Sequence, residues 1–240
     1  MITDGLAQQP AAPETEDVSM ADYIALIRCK ASRDAAARLV EELRDTARGH
    51  DSSMVFIHGD AVASIPAFAN AAPDPGADWV VCRTSLARRT ATDMLPQPFR
   101  IATLTAFYES VLSANRIDSL GLGGQLCSKP GSAAKRSESG PLLLEIGFAP
   151  LARHQHRETL EMALGAAALE LDATVLFTGE GLAHLEGVAA RGWSQITDFD
   201  LLDLHCETPA RRFAPEIAVP TLDPVDVARL RARAATILIL

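Results

Sequence analysis

No apolar run in the sequence approaches the ~18 residues that carry a helix across a bilayer, and the N-terminus lacks the charged-then-apolar layout of a secretory signal. Both absences predict a cytoplasmic protein without a membrane partner. Basic residues are in deficit: 22 Lys and Arg stand against 31 Asp and Glu, a formal charge of −9 with a pI near 5.1. That balance opposes a nucleic-acid-binding role, which needs a basic face against phosphates. Cysteine is scarce. The four (Cys29, Cys82, Cys127 and Cys206) include no CxxC pair, so a zinc site is unsupported, and a reducing compartment favours buried or reactive thiols over disulfides. Complete phosphate loops are missing as well. Gly121-Leu-Gly-Gly124 has no helix immediately after it, and neither Gly59-Asp-Ala nor Gly179-Glu-Gly completes GxGxxG or GxxxxGK[ST]. Asp60 and Glu180 in those turns would repel phosphate.

What the chain does have is an internal repeat. Met54-Val-Phe-Ile-His-Gly-Asp-Ala-Val62 is followed by Cys82, 23 residues beyond Gly59; Thr174-Val-Leu-Phe-Thr-Gly-Glu-Gly-Leu182 is followed by Cys206, 27 beyond Gly179. With 240 residues, 48% of them hydrophobic, the repeat predicts two domains with cores of ordinary small-domain size. Residues 1–20 lack apolar periodicity and read as a disordered tail, with Met20 a candidate natural start. Residues 125–140 have linker composition. The domains are then 21–124 and 141–240.

In the first, Tyr23 to Cys29 reads as a strand, and Ala36, Leu39, Val40, Leu43 and Ala47 mark one helix face. Strands Met54–Ile57 and Asp78–Cys82 follow, then a helix with Leu104, Phe107, Tyr108, Val111 and Leu112 on its seam, then a strand Ile117–Leu122. The second repeats the order: strand Leu142–Phe148, a helix carrying Leu160, Ala163, Leu164, Ala167, Ala168 and Leu171, strands Ala173–Phe177 and Leu201–His205, a helix through Val227, Leu230 and Ala234, and a closing strand Thr236–Leu240 too apolar for an exposed edge. Alternating helices and continuous apolar strands imply an α/β fold of parallel sheets covered on both faces. In such sheets chemistry sits beyond the carboxyl ends of the strands.

Cys82 stands at such an end. A helix capped by Thr84 or Ser85 and the cations Arg83, Arg88 and Arg89 would favour its thiolate, against the plainer reading of a buried thiol. Cys206 takes the equivalent place, but Glu207 and Pro209 beside it suggest a degenerate copy, and His205 on the same strand points to the opposite face. His58 could face Cys82 across the crevice as acid, base or donor, or be a partly exposed histidine without a role. The cluster Arg153-His154-Gln155-His156-Arg157 reads as a solvated basic patch, or a site for an anion or an acidic partner surface. Cys29 ends a strand beside Lys30 and Cys127 sits in the linker; neither has a setting like that of Cys82.

The first repeat, with Ala47-Arg-Gly-His50, Val55-Phe-Ile-His-Gly-Asp-Ala-Val62 and Val80-Val-Cys-Arg-Thr-Ser-Leu-Ala-Arg-Arg89, resembles the DsrE/TusD subunits of sulfur-relay proteins. The second, with Gly147-Phe-Ala-Pro150, Arg157-Glu-Thr-Leu160 and Leu176-Phe-Thr-Gly-Glu-Gly181, resembles the DsrF/TusC branch. The resemblance covers nearly everything outside tail and linker, and it implies two tandem DsrE-like domains, each a mainly parallel sheet in a three-layer α/β/α arrangement. It also implies that Cys82 accepts sulfane sulfur as a persulfide from a small TusA-like carrier and relays it to a DsrC/TusE-like protein thiol, in sulfur oxidation or tRNA thiolation, with no metal or organic cofactor. Such subunits form hexamers, so a homo-oligomer is expected. Thr90 stands where the family has glycine after the Arg pair, and Asp-Ala-Val replaces its Gly-Val turn. The DsrF/TusC branch is a supporting subunit, so a role for Cys206 comes from the repeat alone. The alternatives are a non-catalytic assembly module and a ligand-binding regulator using the crevice between the repeats.

Overall fold

The computed structural model describes residues 21–73, 75–89, 95–120, 126–127, 140–150, 152–210 and 212–240. The expected tail, the Gly121–Gly124 turn, Thr90, and the expected linker apart from Leu126, Cys127 and Gly140 lie outside them.

The first half runs β1 (Tyr23–Ile27), α1 (Arg33–Ala47), β2 (Ser53–Ile57), a 3₁₀ turn Gly59–Ser64, α2 (Ile65–Asn70), β3 (Asp78–Cys82), α3 (Arg83–Arg89), β4 (Arg100–Ala102), α4 (Leu104–Ser113) and β5 (Arg116–Leu120). Five strands lie parallel in the order β4-β3-β2-β1-β5, and the two-residue β6 (Leu126–Cys127) pairs antiparallel to β5. Local chemistry sets the helix starts. Ser32 accepts from the Ala35 amide at 3.3 Å and Thr103 from the Ala106 amide at 3.2 Å, satisfying donors the first turn leaves open.

The second half runs β7 (Leu142–Ile146), α5 (Arg153–Ala168), β8 (Ala173–Phe177), a 3₁₀ turn Gly179–Leu185, α6 (Gly187–Asp198), β9 (Asp203–Glu207), β10 (Thr221–Leu222), α7 (Pro224–Arg233) and β11 (Thr236–Ile239). Its parallel order, β10-β9-β8-β7-β11, is that of the first. Each half thus has a parallel five-stranded sheet flanked by helices, and Gly59 (φ 61°) and Gly179 (φ 53°) open the two 3₁₀ turns at matching places. Several readings shift. Strands β1 and β7 stop at Ile27 and Ile146, so Cys29 and Phe148, expected as their last residues, lie two positions beyond them. Strand β9 begins at Asp203, because Leu201 is held by its amide to the Ile196 carbonyl at 3.0 Å after Asp200 turns left-handed at φ 50°, closing α6; Cys206 therefore lies inside its strand, paired with Phe177. Leu112 and Leu164, read as seam residues, face solvent. The strand β11 is an edge of its sheet, and it packs against β5 of the first half.

Alternation along the strands sorts side chains between faces. Tyr23, Ala25 and Ile27 join α1 and α2 in one cluster. Ile24 and Leu26 face the other way, with Phe56, Cys82 and the α4 residues Phe107, Tyr108 and Val111, and this cluster continues without a break into Leu142, Leu144 and Ile146 of β7, Met162, Ala163 and Ala166 of α5, and Trp193 of α6. Instead of two separate cores, the facing layers share one. Close approach of α4 to α5 is permitted by Gly165, where a Cβ would stand 3.3 Å from the Tyr108 ring. The Tyr108 hydroxyl donates to the Met162 carbonyl at 2.7 Å across that contact. Among the described residues no helix is long and apolar enough to cross a membrane.

Candidate functional site

In each sheet three crossovers step outward on one side of the first strand, and the last strand returns to its other flank. The reversal points, β1/β5 and β7/β11, are where an open α/β sheet leaves a crevice beyond its carboxyl ends. One pocket occupies both. It measures about 500 Å³ including the space at its open mouth. Arg28 and Cys29, just past β1, and Ser119 of β5 line it from the first half; Phe148 to Pro150, just past β7, and Ile239 and Leu240 at the end of β11 line it from the second. Gln155, Glu158 and Thr159 from the first two turns of α5, and His184 of the second 3₁₀ turn, complete the wall.

Arg28 is the pocket's cation. Its Nη2 donates to Thr159 Oγ1 at 2.6 Å, and that hydroxyl donates in turn to the Gln155 carbonyl at 3.0 Å. The Arg28 Nε is shut away from solvent and has no partner. Burial lowers the guanidinium's pKa, and the negative charges of Glu158 and Cys29 oppose that shift. Cys29 is partly exposed and in no disulfide.

Behind the pocket an ionic network joins the halves. Glu158, buried, is bound by Arg89, whose other nitrogen meets Asp60 at 2.7 Å. The same Asp60 receives His154 Nε2 at 2.6 Å and Gln155 Nε2 at 3.2 Å, and Arg88 pairs with Glu161. Gly59 is required twice over: its φ is +61°, and a Cβ there would come within 2.1 Å of the Glu158 carboxylate. The expected solvated basic patch 153–157 is therefore, at His154 and Gln155, part of the seam between halves. His156 Nδ1 meets His184 Nδ1 at 3.0 Å. Burial above all, with His156 and Arg28 adding to it, pulls His184 down to about 3, and burial also lowers His156. Both rings are neutral near pH 7, one Nδ1 donating and the other accepting.

Cys82 ends β3 as expected, paired with Ala102 of β4, but it is 0% exposed and sits in the shared core. Helix α3 starts at the next residue. The Ser85 hydroxyl, expected as a cap, accepts from the Gly59 amide at 2.9 Å, and Thr84 and Arg83 point to solvent. The positive potential expected from Arg88 and Arg89 is taken up by Glu161, Glu158 and Asp60. His58, one step past β2 and beside the end of β3, is wholly buried and not partly exposed, with both ring nitrogens unpartnered. Burial first, then Arg28, Arg88 and Arg89, pull it down to about 3. It makes no hydrogen bond to Cys82. Cys206, 1% exposed, lies 3.6 Å from Thr221 Oγ1, while His205 on the opposite face is partly exposed.

The pocket residues absent from the sequence reading are Arg28, Ser119 and His184, and Cys29 was set aside there for lacking a setting like that of Cys82. Glu158 and Thr159 fall inside the Arg157-Glu-Thr-Leu160 motif without having been singled out. The missing signal was strand order: β1 is the strand at the reversal, β3 lies two strands away, and no local pattern distinguishes them. Among the described residues no cluster of His, Cys, Asp and Glu is placed to hold a metal ion. No protein-family model matches the chain, and no curated protein matches it.

Proposed function

We propose that this chain is a thiol-based sulfur carrier, two DsrE/DsrF-like domains in tandem, and that its exchanging thiol is Cys29. One observation carries the reading: Cys29 is the cysteine that solvent reaches among those with described side chains, and it opens into the pocket at both reversal points beside a guanidinium. Persulfide exchange requires a thiolate that can be approached, and a neighbouring arginine stabilises that form. Cys82, the position the resemblance favours, satisfies the placement and not the access; exchange there requires the junction of β3 and α3 to open. The sulfur donor and acceptor are proposed as TusA-like and DsrC/TusE-like thiol proteins in the cytoplasm, with chains associating as homo-oligomers.

Intact-mass and peptide-mass measurement after incubation with a sulfane donor tests the assignment. The wild type and Cys82→Ser gain one sulfur atom and Cys29→Ser does not. Gain retained by Cys29→Ser and lost by Cys82→Ser returns the role to Cys82, and no gain on the wild type ends the sulfur-carrier reading. The burial of both Cys82 and Cys206 favours a second reading, a non-catalytic assembly module; a Cys29 inert toward iodoacetamide in the folded protein would support it.

A further inference from the structure

We propose that the ionic seam between the halves is a latch, and that release of the first turns of α5 from the carboxyl end of the first sheet is what admits solvent to Cys82. Cys82 is not the thiol assigned to exchange, and its exposure does not depend on that assignment.

One row of side chains is the starting point. Arg28, His58 and Cys82 stand side by side, one step beyond the register that aligns Ile27, Ile57 and Val81 on three adjacent strands. All three face the side on which the second half packs: Arg28 reaches Thr159, His58 stacks on Phe56, and Cys82 lies in the shared core. The polar groups of this row are poorly satisfied. His58 is 0% exposed with neither ring nitrogen bonded, and the Arg28 Nε is unpartnered as well. Buried polar groups without partners raise the free energy of the closed arrangement, and an opening that lets water reach them recovers that cost. A seam closed over such groups opens locally more readily than a purely apolar core.

What holds α5 over the row is polar. Arg88 binds Glu161, Arg89 binds Glu158 and Asp60, His154 and Gln155 bind Asp60, and Arg28 binds Thr159. The side chains of Arg88 and Arg89 are 37% and 24% exposed, so dissolved salt screens these pairs. Farther along α5, Gly165 meets Leu104 and Tyr108; that contact has no charge to screen and stays as the hinge. Cys82 is tied to the latch by charge. The Glu161 carboxylate raises Arg88 above its ordinary value, and a thiolate at Cys82 adds to that. Release of Glu161 leaves Arg88 unpaired within reach of the thiol being uncovered, and a cation there favours the reactive thiolate. Exposure and activation of Cys82 then come from one movement.

The full chain is treated with iodoacetamide, and labelling is followed by peptide mass at Cys82 and Cys206, with N-acetylcysteine correcting for the reagent. Cys206 is the control: it is 1% exposed in the same core, and its sulfur neighbours are Val219 and Thr221 of the second half. Without denaturant Cys82 is labelled at least roughly tenfold faster than Cys206, as local opening requires. Its rate rises severalfold between about 0.05 M and about 1 M KCl, while that of Cys206 does not. Urea below the unfolding transition speeds Cys206 more steeply than Cys82, because a local opening exposes less surface than unfolding. Glu161→Gln speeds labelling of Cys82 at low salt and flattens its salt response. Equal rates and equal urea dependence at the two cysteines mean that only global unfolding reaches Cys82, and they overturn the latch. So does a Cys82 rate that salt leaves unchanged. The salt series uses wild-type protein, so the latch stays open to refutation even if Glu161→Gln fails to fold.

Discussion

At the scale of single residues, position was legible in the sequence and environment was not. Cys82 is at the end of its strand because Trp79, Val80 and Val81 read as a buried strand, yet nothing local tells that it pairs with Ala102 and is buried in the core that also holds Phe107. His58 shows the same division, and its burial has a measurable consequence. In the folded state His58 and His184 are held near 3 against an ordinary value of 6.5. Above pH 6.5 neither folded nor unfolded chain protonates them; below it the unfolded chain binds protons that the folded chain refuses, so stability falls as pH drops from 6.5 toward 3. Each histidine contributes a slope of roughly 1.4 kcal/mol per pH unit in that window. Urea unfolding at pH 7.5, 6.0 and 5.0 checks this. The variant His58→Leu, which removes two unpartnered buried nitrogens, stays within about 1 kcal/mol of wild type at pH 7.5 and loses stability less steeply toward pH 5.0. An unchanged slope in His58→Leu would show that burial of this ring is not what acid opposes.

Among elements, helices with one apolar face against their own sheet were the most legible. Helix α1 matches its periodicity, with Ala36, Leu39, Val40 and Leu43 buried. Helix α5 starts at Arg153, seven residues before the first seam position read from the sequence, because its opening turns bind polar partners and not a core. Those partners, Asp60 and Arg89, lie 94 and 69 residues away from His154 and Glu158, beyond any local pattern. The Arg89–Glu158 contact joining α3 to α5 gives a prediction at this scale. Glu158 has a side chain only 8% exposed, so Arg89→Met strands a buried carboxylate and costs about 3 kcal/mol. Adding Glu158→Gln removes the stranded charge. The double variant is then more stable than Arg89→Met alone, a non-additivity that a double-mutant cycle in urea reads directly; strictly additive losses would mean the pair is solvated and contributes no coupling.

For the whole molecule, the repeat revealed two copies of one topology but not how they meet. The copies are stacked in the same sense: the α4 face of the first sheet lies against the α5–α6 face of the second, which leaves α1 and α7 as the outer layers. Helix α5 can be covered because its side toward α4 has Gly165 against Leu104 and Tyr108 and the Met162 carbonyl that accepts from Tyr108, where the outward side of α1 carries Arg38, Glu41 and Glu42. Both reversal points are thereby brought to one pocket, a site neither copy forms alone. Such a core also ties the stability of each half to the other, since the α4 and α5 residues that seal it come from different halves. The chain supplies its own probes, Trp79 in the first half and Trp193 in the second, both fully buried. Trp79→Phe and Trp193→Phe each leave one reporter, and in each variant the tryptophan emission and the far-UV circular dichroism trace the same urea transition, because a half that opens exposes the partner's share of the core and two-state behaviour follows. Two separated midpoints within one variant would show halves that fold independently, and the pocket between them would then be a docking site instead of a built one.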